Sequence, residues 1–578
     1  MLYPQSNPFR QAIDLSGFWD LRFDPTGQGQ PAGWMNGFSG GRPVAVPASW
    51  NDQFEDWRDY MGQTWYQTRF DLPWGWDTAR QRVGLRFDSV NYLAEVWLNG
   101  LCLGTHEGGH LPFEFDLTSH LRREDNLLVV RVEGELAPDR VPPGNVPPDP
   151  RHMFLDQSEN FPPGSFDFFP FCGIQRPVWL VATSPQAIAD ITVVTELPNR
   201  VWVKVNLAGT DTATARFSLR GAEVTTQTQA SGVSTEIELQ VPDAVLWSPD
   251  TPHLYDLTVE LLRNSAIIDR YTLPIGIREV KIEGDALLLN GRPIYLKGFG
   301  RHEDFPVIGR GLAPAVIIKD YALMKWIGAN SFRTTHYPYS EQMMALADRL
   351  GFLVIDEIPA VGLFFDEAGL DRRLHLCRQY LHELVARDKN HASVIMWSIA
   401  NEPHSSPPAA KPFFRNLYDL CKSLDATRPV TLVSYRGVAE ESFEFCDLMG
   451  LNRYYGWYAQ SGQLDTGCAN LAAELEAMHT KFKKPLILTE FGADTIPGHH
   501  AQPPEMFSEE YQADMLAQYL QVLRGQPYVV GEHVWNLCDF KTSQGVRRMG
   551  GMNMKGVFTR DRRPKLAAHR LRELWTAD

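Results

Sequence analysis

Two glutamates stand where buried strands are expected to end, and no other residues of this chain are better placed to do chemistry. Glu402 follows the mostly apolar run 394–400, and Glu490, 88 residues further along, follows the run 486–489. A carboxylate at such a position is costly to desolvate, so a buried pair indicates acid/base or nucleophilic chemistry. Three βαβ units of roughly 30 residues each would span this distance in the chain. The spacing therefore places both carboxylates around one shared substrate site.

The elements that must position them begin at about residue 280, where short apolar strands alternate with amphipathic helices. Eight candidate strands lie at 294–299, 331–335, 353–356, 394–397, 430–433, 448–452, 486–489 and 531–535. Eight such units are typical of a (β/α)8 barrel, whose active site lies at the C-terminal ends of the strands. We therefore predict a TIM barrel over residues 278–578, with Glu402 after its fourth strand and Glu490 after its seventh.

The chain before the barrel is patterned as β-structure. Short alternating strands and turn signals such as Asn99-Gly100 predict a jelly-roll sandwich over residues 1–183. A second set of strands predicts an immunoglobulin-like β-sandwich over residues 184–277. Residues 133–166, rich in Pro, Gly and Asp, are predicted to form a long loop. The predicted fold class is thus multidomain, with two β domains followed by an α/β barrel.

Composition excludes several classes of function. The 578 residues carry a net charge of −15, which argues against nucleic acid or an anionic membrane as a partner. No stretch approaches the ~20 apolar residues that span a bilayer, and the N-terminal residues do not resemble a signal peptide. The seven cysteines are scattered and form no Cys-x-x-Cys pair. We expect reduced thiols in a cytoplasmic protein, with neither a zinc site nor another cofactor.

A pair of carboxylates is what the hydrolysis of a glycosidic bond requires. In retaining enzymes one carboxylate attacks the sugar, and the other stays protonated and donates to the leaving group. Asn401, directly before Glu402, can offer an amide to the sugar hydroxyl beside the reacting carbon. Burial raises the pKa of an acid group, and so does an ionised neighbour, so we expect Glu402 to be the acid/base and Glu490 the nucleophile. The alternative is that both are helix N-cap or salt-bridge residues.

The sequence around both glutamates resembles a known enzyme family. Trp397-Ser-Ile-Ala-Asn-Glu-Pro403 and Ile487-Leu-Thr-Glu-Phe-Gly492 look like the acid/base and nucleophile motifs of glycoside hydrolase family 2. That family combines a jelly-roll domain, an immunoglobulin-like domain and a catalytic barrel, in the order predicted above. Within it the chain is most similar to the β-glucuronidases, over nearly its whole length. The resemblance implies a retaining exo-β-glucuronidase that acts on small-molecule or glycan glucuronides and forms a homo-oligomer, either a tetramer or a dimer.

A loop after the eighth predicted strand fits the sugar that this resemblance implies. A uronic acid carries a carboxylate where a neutral hexose carries a hydroxymethyl group, and its recognition requires a cation and an amide donor in fixed positions. Asn553 and Lys555 supply both. The resemblance implies that they bind the uronate carboxylate, with Arg548 nearby. On its own, an Asn-x-Lys pattern is equally typical of any solvated loop.

The resemblance also implies further contacts with the sugar. Asp167 is expected to reach from the first domain into the pocket and bond sugar hydroxyls. Tyr454, Tyr458, His336 and Trp535 are expected to line the same site, with Tyr458 as a hydrogen-bond donor to the nucleophile. The alternatives are ordinary rim aromatics for the tyrosines, a buried structural histidine for His336, and a surface turn for Asp167.

The chain departs from the family pattern in two places. Met552 stands between the glycine pair at 550–551 and Asn553, where the pattern of the bacterial β-glucuronidases has the asparagine directly after the glycines. The connection after the third strand is short, with only residues 360–369 before the next predicted helix. Relatives that act on small drug-like glucuronides often carry a long insertion there. Its absence predicts an open aglycone side that accepts larger conjugates or glycan ends.

Other functions are compatible with parts of this pattern. A β-galacturonidase or β-galactosidase of the same family is the nearest, and galacturonate keeps the carboxylate that Asn553 and Lys555 would bind. A non-catalytic glycan-binding protein with a decayed barrel is less favoured, because Glu402 and Glu490 are both present. A metal hydrolase is not expected, since no cluster of His, Asp and Glu has ligand spacing.

We expect Lys555→Ala to lower kcat/KM for aryl β-glucuronides about tenfold or more, because each lost charge-assisted hydrogen bond costs roughly 1.5–3 kcal/mol. Steady-state kinetics with p-nitrophenyl β-D-glucuronide measures the change. An unchanged kcat/KM would show that Lys555 does not bind the sugar carboxylate.

Overall fold

The computed structural model describes residues 2–146, 160–209, 211–230, 233–366 and 368–577. Within these ranges the chain forms two β-sandwiches followed by a closed parallel barrel, which confirms the predicted fold class. Residues 147–159 of the predicted loop at 133–166 lie outside the described residues. The predicted boundaries near residues 183 and 277 fall between the last strand of one domain and the first strand of the next.

The first domain packs an antiparallel sheet of four strands against one of six. In the last strand, Val178, Leu180 and Ala182 are buried while the residues between them are half-exposed, the period of two expected when one face meets the core. The Asn99-Gly100 turn has positive φ at both residues, as predicted for a tight hairpin. The domain contains β1 (Gln11–Asp14), β2 (Gly17–Phe23), β3 (Arg42–Val46), α1 (Trp50–Gln53), β4 (Gln63–Phe70), β5 (Arg82–Phe87), β6 (Val90–Asn91), β7 (Leu93–Leu98), β8 (Leu101–Glu107), β9 (Phe113–Asp116), β10 (Asn126–Glu133), β11 (Gly173–Ile174) and β12 (Val178–Thr183).

The second domain is a smaller sandwich of a three-stranded and a four-stranded antiparallel sheet. Its strands alternate buried and exposed residues over most of their length, as in Val201, Val203 and Val205. They are β13 (Ala187–Glu196), β14 (Arg200–Ala208), β15 (Ala213–Arg220), β16 (Val224–Ala230), β17 (Ser234–Gln240), β18 (Tyr255–Arg263) and β19 (Ala266–Ile275).

The third domain is a barrel of eight parallel strands that closes by pairing its first strand with its last. These strands are β23 (Leu296–Arg301), β24 (Ser331–Thr334), β25 (Leu353–Glu357), β26 (Val394–Asn401), β27 (Val430–Ser434), β28 (Met449–Asn452), β29 (Leu486–Glu490) and β30 (Val529–Val534). A small sheet precedes the barrel, formed by β20 (Val280–Glu283), β21 (Ala286–Leu289) and β22 (Arg292–Pro293), and a hairpin of β31 (Phe540–Lys541) and β32 (Met552–Asn553) follows β30.

Helices link most of the barrel strands and explain why the residues of those strands are buried on both faces. All eight residues of β26 are buried, because side chains face either the barrel interior or the helices around it. Two short 3-10 helices, Gly437–Ala439 and Glu441–Glu444, take the place of an α-helix after β27. The helices are α2 (Pro314–Ile327), α3 (Glu341–Leu350), α4 (Leu370–Asp388), α5 (Ala410–Leu424), α6 (Leu464–Phe482), α7 (Glu509–Arg524) and α8 (Leu566–Thr576).

The immunoglobulin-like domain is fixed to the barrel through Trp247. This side chain is fully buried against the interior residues at the N-terminal end of the barrel, and its indole N–H donates to the Asp348 carbonyl at 2.8 Å. The Asp348 carboxylate contacts His391 Nδ1 at 2.6 Å and accepts from the Ser393 amide at 2.8 Å. One aspartate therefore joins the second domain to the segment that enters β26.

The jelly-roll domain reaches the opposite end of the barrel. The backbones of Phe161 and Gln544 form two hydrogen bonds of 3.0 and 2.8 Å, and the Phe169 amide donates to the Lys541 carbonyl at 2.9 Å. Residues 160–171 of the first domain therefore run beside the loop between β31 and β32, at the C-terminal ends of the strands. Among the described helices, none is both long and apolar enough to cross a membrane.

The contact between His391 and Asp348 predicts how stability depends on pH. Burial alone lowers the pKa of His391, but the Asp348 carboxylate outweighs it and raises the pKa to about 9. Because the pKa is higher in the folded than in the unfolded state, this contribution to stability is complete below about pH 6.5 and is lost as pH rises through about 9. We expect the loss to reach at most about 3 kcal/mol. Calorimetry should show that the Tm falls less steeply between pH 6.5 and 9.5 in His391→Gln than in the wild type; equal slopes would contradict the assignment.

Candidate active site

The structure brings both predicted carboxylates to the mouth of the barrel. Glu490 is the last residue of β29 and is 4% exposed, and Glu402 directly follows β26. Glu402 has φ of +46°, a left-handed conformation that costs energy for a residue with a side chain and that clusters at functional sites. Both carboxyls therefore lie at the end of the barrel where active sites of this fold are found.

Glu490 is held by a cation and a hydroxyl. Arg333 Nη2 donates to Glu490 Oε1, and the Tyr454 hydroxyl donates to Oε2 at 2.8 Å. The pKa of Glu490 is raised to about 8, because burial and the charge of Glu402 together outweigh Arg333 and Tyr454, which act to lower it. Both donors favour the ionised form of Glu490.

Glu402 has weaker support for a negative charge. Asn452 Nδ2 donates to Glu402 Oε1 at 2.8 Å. Burial raises the pKa of Glu402, and Asp167 adds to the rise, whereas the bond from Asn452 opposes it. The two carboxyls interact, so they take up and release protons as a pair. Because a guanidinium contacts only Glu490 of the two, we place a shared proton on Glu402.

Beneath the pair, Glu357 orients the two groups that face Glu490. Arg333 Nη1 lies 2.9 and 2.8 Å from the two oxygens of Glu357, and the Ser398 hydroxyl donates to it at 2.7 Å. His336 Nδ1 lies 2.8 Å from Glu357, and burial lowers the pKa of His336 to about 4. The neutral ring therefore donates from Nδ1 and keeps Nε2 as an acceptor, 3.4 Å from the Asn401 amide.

A second group of charges surrounds Lys555, which is 1% exposed. Its ammonium forms an ion pair with Asp494 and donates to the Tyr458 hydroxyl at 2.8 Å. Arg548 also donates to the Tyr458 hydroxyl, at 2.9 Å, and lies 3.3 Å from Asp494. Burial raises the pKa of Asp494, but Lys555 and Arg548 outweigh it and the net shift is downwards. Asp494 is thus a buried carboxylate shared by two cations.

Asp167 joins this group from the jelly-roll domain. Arg548 binds both of its oxygens, through Nε at 2.9 Å and through Nη2, and Asn553 Nδ2 donates to it at 2.9 Å. Phe166 and Phe168 on either side are buried, while the Asp167 side chain is 25% exposed. The aromatic neighbours therefore anchor the segment and leave its carboxylate at the barrel mouth, not in a surface turn.

Met552 lies on the outer side of the hairpin that carries Asn553 and leads to Lys555. It pairs with Lys541 in the β31–β32 hairpin and is half-exposed, whereas Asn553 and Lys555 are both buried. The Lys555 amide donates to Asn553 Oδ1 at 3.1 Å, which fixes the two side chains relative to each other. The alternation of the hairpin strand thus accommodates Met552 on its outer side.

The structure corrects the expected hydrogen bond between Tyr458 and the nucleophile candidate. The donor to Glu490 is Tyr454, and the Tyr458 hydroxyl instead accepts from Arg548 and Lys555. The two rings pack edge-to-face with centroids 5.3 Å apart, so their hydroxyls serve different parts of the site. Trp535 stacks on His336 with ring centroids 5.1 Å apart and forms one wall.

Four residues at the site were not among those selected from the sequence: Arg333, Glu357, Asn452 and Asp494. Arg333, Glu357 and Asn452 lie at or next to strand ends, where polar residues in an apolar strand were the available signal. Asp494 follows Glu490 by four residues, and only its contacts reveal that it holds Lys555. In the part of the chain that the structure describes, no group of three His, Cys, Asp or Glu side chains could hold a metal ion.

Paired, buried carboxyls at the mouth of a parallel barrel are the arrangement that glycoside hydrolysis requires. Residues 280–577 match the family model described as "Glycosyl hydrolases family 2, TIM barrel domain". Residues 13–185 match the sugar binding domain of that family, and residues 185–278 match the model described as "Glycosyl hydrolases family 2". The chain belongs to glycosyl hydrolases family 2.

Individual relatives cover the whole chain. A beta-glucuronidase of Paenibacillus borealis is 40% identical over 100% of this chain and 98% of its own length, and the beta-glucuronidase of Homo sapiens is 38% identical over 99% and 92%. The solved structure of a Ruminococcus gnavus β-glucuronidase, in complex with a C6-substituted uronic isofagomine, superimposes with a TM-score of 0.93 at 37% identity and covers 99% of both chains.

The different roles of the two tyrosines generate a testable contrast. Because the bond from Tyr454 lowers the pKa of Glu490, Tyr454→Phe should move the acidic limb of the kcat/KM profile to higher pH, by roughly 0.5–1 pH unit. Tyr458→Phe is the matched control, since its hydroxyl does not contact Glu490, and should leave that limb in place. An acidic limb that moves in Tyr458→Phe and not in Tyr454→Phe would contradict the contacts described above.

Proposed function

We propose that the protein is a retaining exo-β-glucuronidase that hydrolyses terminal β-D-glucuronides of small molecules or glycans. The observation that carries this proposal is the buried ammonium of Lys555, which lies beside Arg548 and Asn553 at the barrel mouth that also holds Glu490. A cation with an amide neighbour is suited to a carboxylate, whereas a neutral hexose presents a hydroxymethyl group there.

In the first step, the ionised Glu490 attacks the anomeric carbon while the protonated Glu402 donates its proton to the glycosidic oxygen. The bond between that carbon and oxygen breaks, the aglycone leaves as an alcohol, and an ester forms between the sugar and Glu490. The pairing of Glu490 with Arg333 and the raised pKa of Glu402 support this division of roles.

In the second step, Glu402 acts as the general base. It takes a proton from a water molecule, whose oxygen attacks the anomeric carbon from the side that the aglycone left. The ester to Glu490 breaks, both carboxyls return to their starting states, and the product is β-glucuronic acid. Two inversions at one carbon give net retention of configuration.

The remaining side chains bind the sugar in this proposal. His336 Nε2 accepts a hydroxyl, and the Asn401 amide serves the hydroxyl beside the reacting carbon. Trp535, stacked on His336, provides an apolar wall, and the free lone pairs of Asp167 accept from hydroxyls. Tyr454 stays on Glu490 and orients it.

Recognition of the acid group is assigned to Asn553, Lys555 and Arg548. The two cations already have carboxylate partners in Asp494 and Asp167, so the sugar carboxylate joins an existing network. Tyr458 is the most exposed member of that network, at 42%, and marks the side from which the acid group enters.

The nearest alternatives are β-galacturonidase and β-galactosidase activity of the same family, and a glycan-binding role without catalysis is a further one. Galacturonate presents the same carboxylate to Lys555 and differs at one hydroxyl. A neutral galactoside leaves Lys555 and Arg548 without a new partner. A binding-only role leaves the strained backbone of Glu402 without a purpose.

We propose an open aglycone side. The connection between β25 and α4 lies against the extension of β26, where the Gly362 amide donates to the Asn401 carbonyl at 3.0 Å and the His404 amide to the Leu363 carbonyl at 2.9 Å. This segment is thereby bound to the barrel wall beside Glu402, which supports acceptance of larger conjugates or glycan ends.

We also propose a cytoplasmic homo-oligomer, either a dimer or a tetramer. All seven cysteines are free, which supports a reducing compartment. Phe18 is 86% and Trp74 is 95% exposed on the jelly-roll domain, and burial of large apolar side chains against a second copy is favourable. Sedimentation velocity tests the oligomer, and a monomer at micromolar concentration would overturn it.

A panel of p-nitrophenyl β-glycosides tests the activity. We expect hydrolysis of the glucuronide to exceed that of the galacturonide and the galactoside, and Glu490→Ala to lower kcat at least about 10³-fold because no nucleophile is left. Proton NMR should detect the β-anomer of the product first. A first-formed α-anomer would overturn the role of Glu490, and preference for the galacturonide would reassign the sugar. Turnover of a uronate-terminated oligosaccharide far below that of a small aryl glucuronide would remove support for the open aglycone side.

A further inference from the structure

Two backbone segments carry the charged residues around Lys555, and they lie side by side. One is residues 493–495, which follow β29, and the other is residues 554–556, which follow β32. The Thr495 amide donates to the Met554 carbonyl at 3.0 Å, and the Met554 amide donates to Asp494 Oδ1 at 2.9 Å. The relative position of Asp494 and Lys555 therefore depends on how these two segments are joined.

Gln512, on α7, joins the segments from one side. It is fully buried, and its Nε2 lies 3.2 Å from the Ala493 carbonyl, 3.1 Å from the Lys555 carbonyl and 3.2 Å from the Gly556 carbonyl. One amide group thus bonds the residue before Asp494 and the backbone of Lys555 itself.

Lys565, at the start of α8, joins the same segments from the other side. It is 2% exposed, and its Nζ donates to the Thr495 carbonyl at 3.1 Å, the Met554 carbonyl at 2.9 Å and Asp539 at 2.8 Å. An ammonium has three protons, so all three are used. The carbonyls that Lys565 bonds belong to the residue after Asp494 and the residue before Lys555.

We infer that Gln512 and Lys565 are positioning residues that together fix the spacing of Asp494 and Lys555 and so set the preference for a uronate over a neutral sugar. The inference rests on the proposed function, because it assigns the cation of Lys555 to the sugar carboxylate. The donor atoms of both residues are used on backbone carbonyls and on Asp539, behind the pocket. Their effect therefore reaches the substrate through Lys555.

The buried carboxylate of Asp539 allows a lysine to occupy position 565. Asp539 is 4% exposed and supplies the opposite charge, without which an ammonium at this depth would be costly. The backbone at residue 556 also packs tightly on Asp539, since a Cβ at Gly556 would lie 2.1 Å from the Asp539 nitrogen. The ion pair of Asp539 and Lys565 is therefore part of the structure against which residues 554–556 pack.

The test compares ligands with and without the acid group. In Lys565→Met, which keeps the length and loses the donors, kcat/KM for p-nitrophenyl β-D-glucuronide should fall about tenfold or more, because small displacements of a binding group are costly. Calorimetric titration should show a similar loss of affinity for an iminosugar with a C6 carboxylate. Affinity for its C6 hydroxymethyl counterpart should change less than about twofold. Lys565→Arg should recover part of the loss.

Lys484→Met is the matched control. Lys484 Nζ also donates to three carbonyls, those of Phe443, Glu444 and Cys446 at 2.8, 2.9 and 2.6 Å, but it lies two residues before β29, at the opposite end of the barrel. We expect Lys484→Met to lower the Tm and to leave the ratio of the two iminosugar affinities unchanged. A change of ratio in both variants would mean that general loosening of the barrel is responsible, and the inference would be wrong.

The outcomes separate the inference from the proposed function. If the wild type does not hydrolyse the glucuronide, the proposed function fails. If it does, and Lys565→Met keeps the wild-type affinity ratio, the positioning role is overturned. Should Lys565→Met fail to fold, Gln512→Met carries the same test, with a reduced ratio as the expected result and an unchanged ratio as the contrary one.

Discussion

The buried guanidinium of Arg333 is the interaction on which the rest of the site depends. It lies on the second barrel strand and bonds carboxylates at the ends of the third and the seventh strands, Glu357 and Glu490. An unpaired guanidinium in this position would be prohibitively costly, so both partners must be present and the barrel must be closed around them. Closure in turn brings β26 and β28 into place, and with them Glu402 and the Asn452 amide that orients it. In the proposed mechanism Glu402 is the acid, because the Arg333 guanidinium bonds Glu490 and not Glu402.

The charges around Lys555 are arranged differently, because the cations there are already paired with carboxylates of the protein. Lys555 and Arg548 are both paired before any substrate arrives, with Asp494 and Asp167. In the proposed function, an arriving uronate therefore does not meet unpaired cations, and its preference over a neutral sugar depends on the geometry of a hydrogen-bonded network more than on net attraction. For the same reason, replacement of Lys555 also leaves Asp494 buried with one partner fewer. A double-mutant cycle with Asp494 is needed to divide the measured loss between the two effects.

Much of the fold followed from the sequence, because strand and helix periodicity and the positions of two glutamates are local signals. All eight predicted barrel strands overlap those observed, and the turn at Asn99-Gly100 forms as expected. The identity of the tyrosine that bonds Glu490 cannot be read from local sequence signals. Tyr454 and Tyr458 are four residues apart on one loop, and only the packed structure separates them. Gln512 and Lys565 were missed for the same reason, since the bonds that join the two segments go to backbone carbonyls, which carry no sequence signal.

The bond between Arg548 and Asp167 spans 381 residues of the chain. Synthesis proceeds from the N-terminus, and domains generally fold as they emerge. The jelly-roll domain, with Asp167, is therefore complete before most of the barrel and Arg548 have been synthesised. The β32 strand with Asn553, the cation of Lys555 and the lysine at residue 565 arrive later still. A chain that stops between residues 491 and 547 therefore contains both glutamates but lacks Arg548, Asn553 and Lys555. In the proposed function, the residues that select the sugar are therefore made after the two glutamates that perform the reaction.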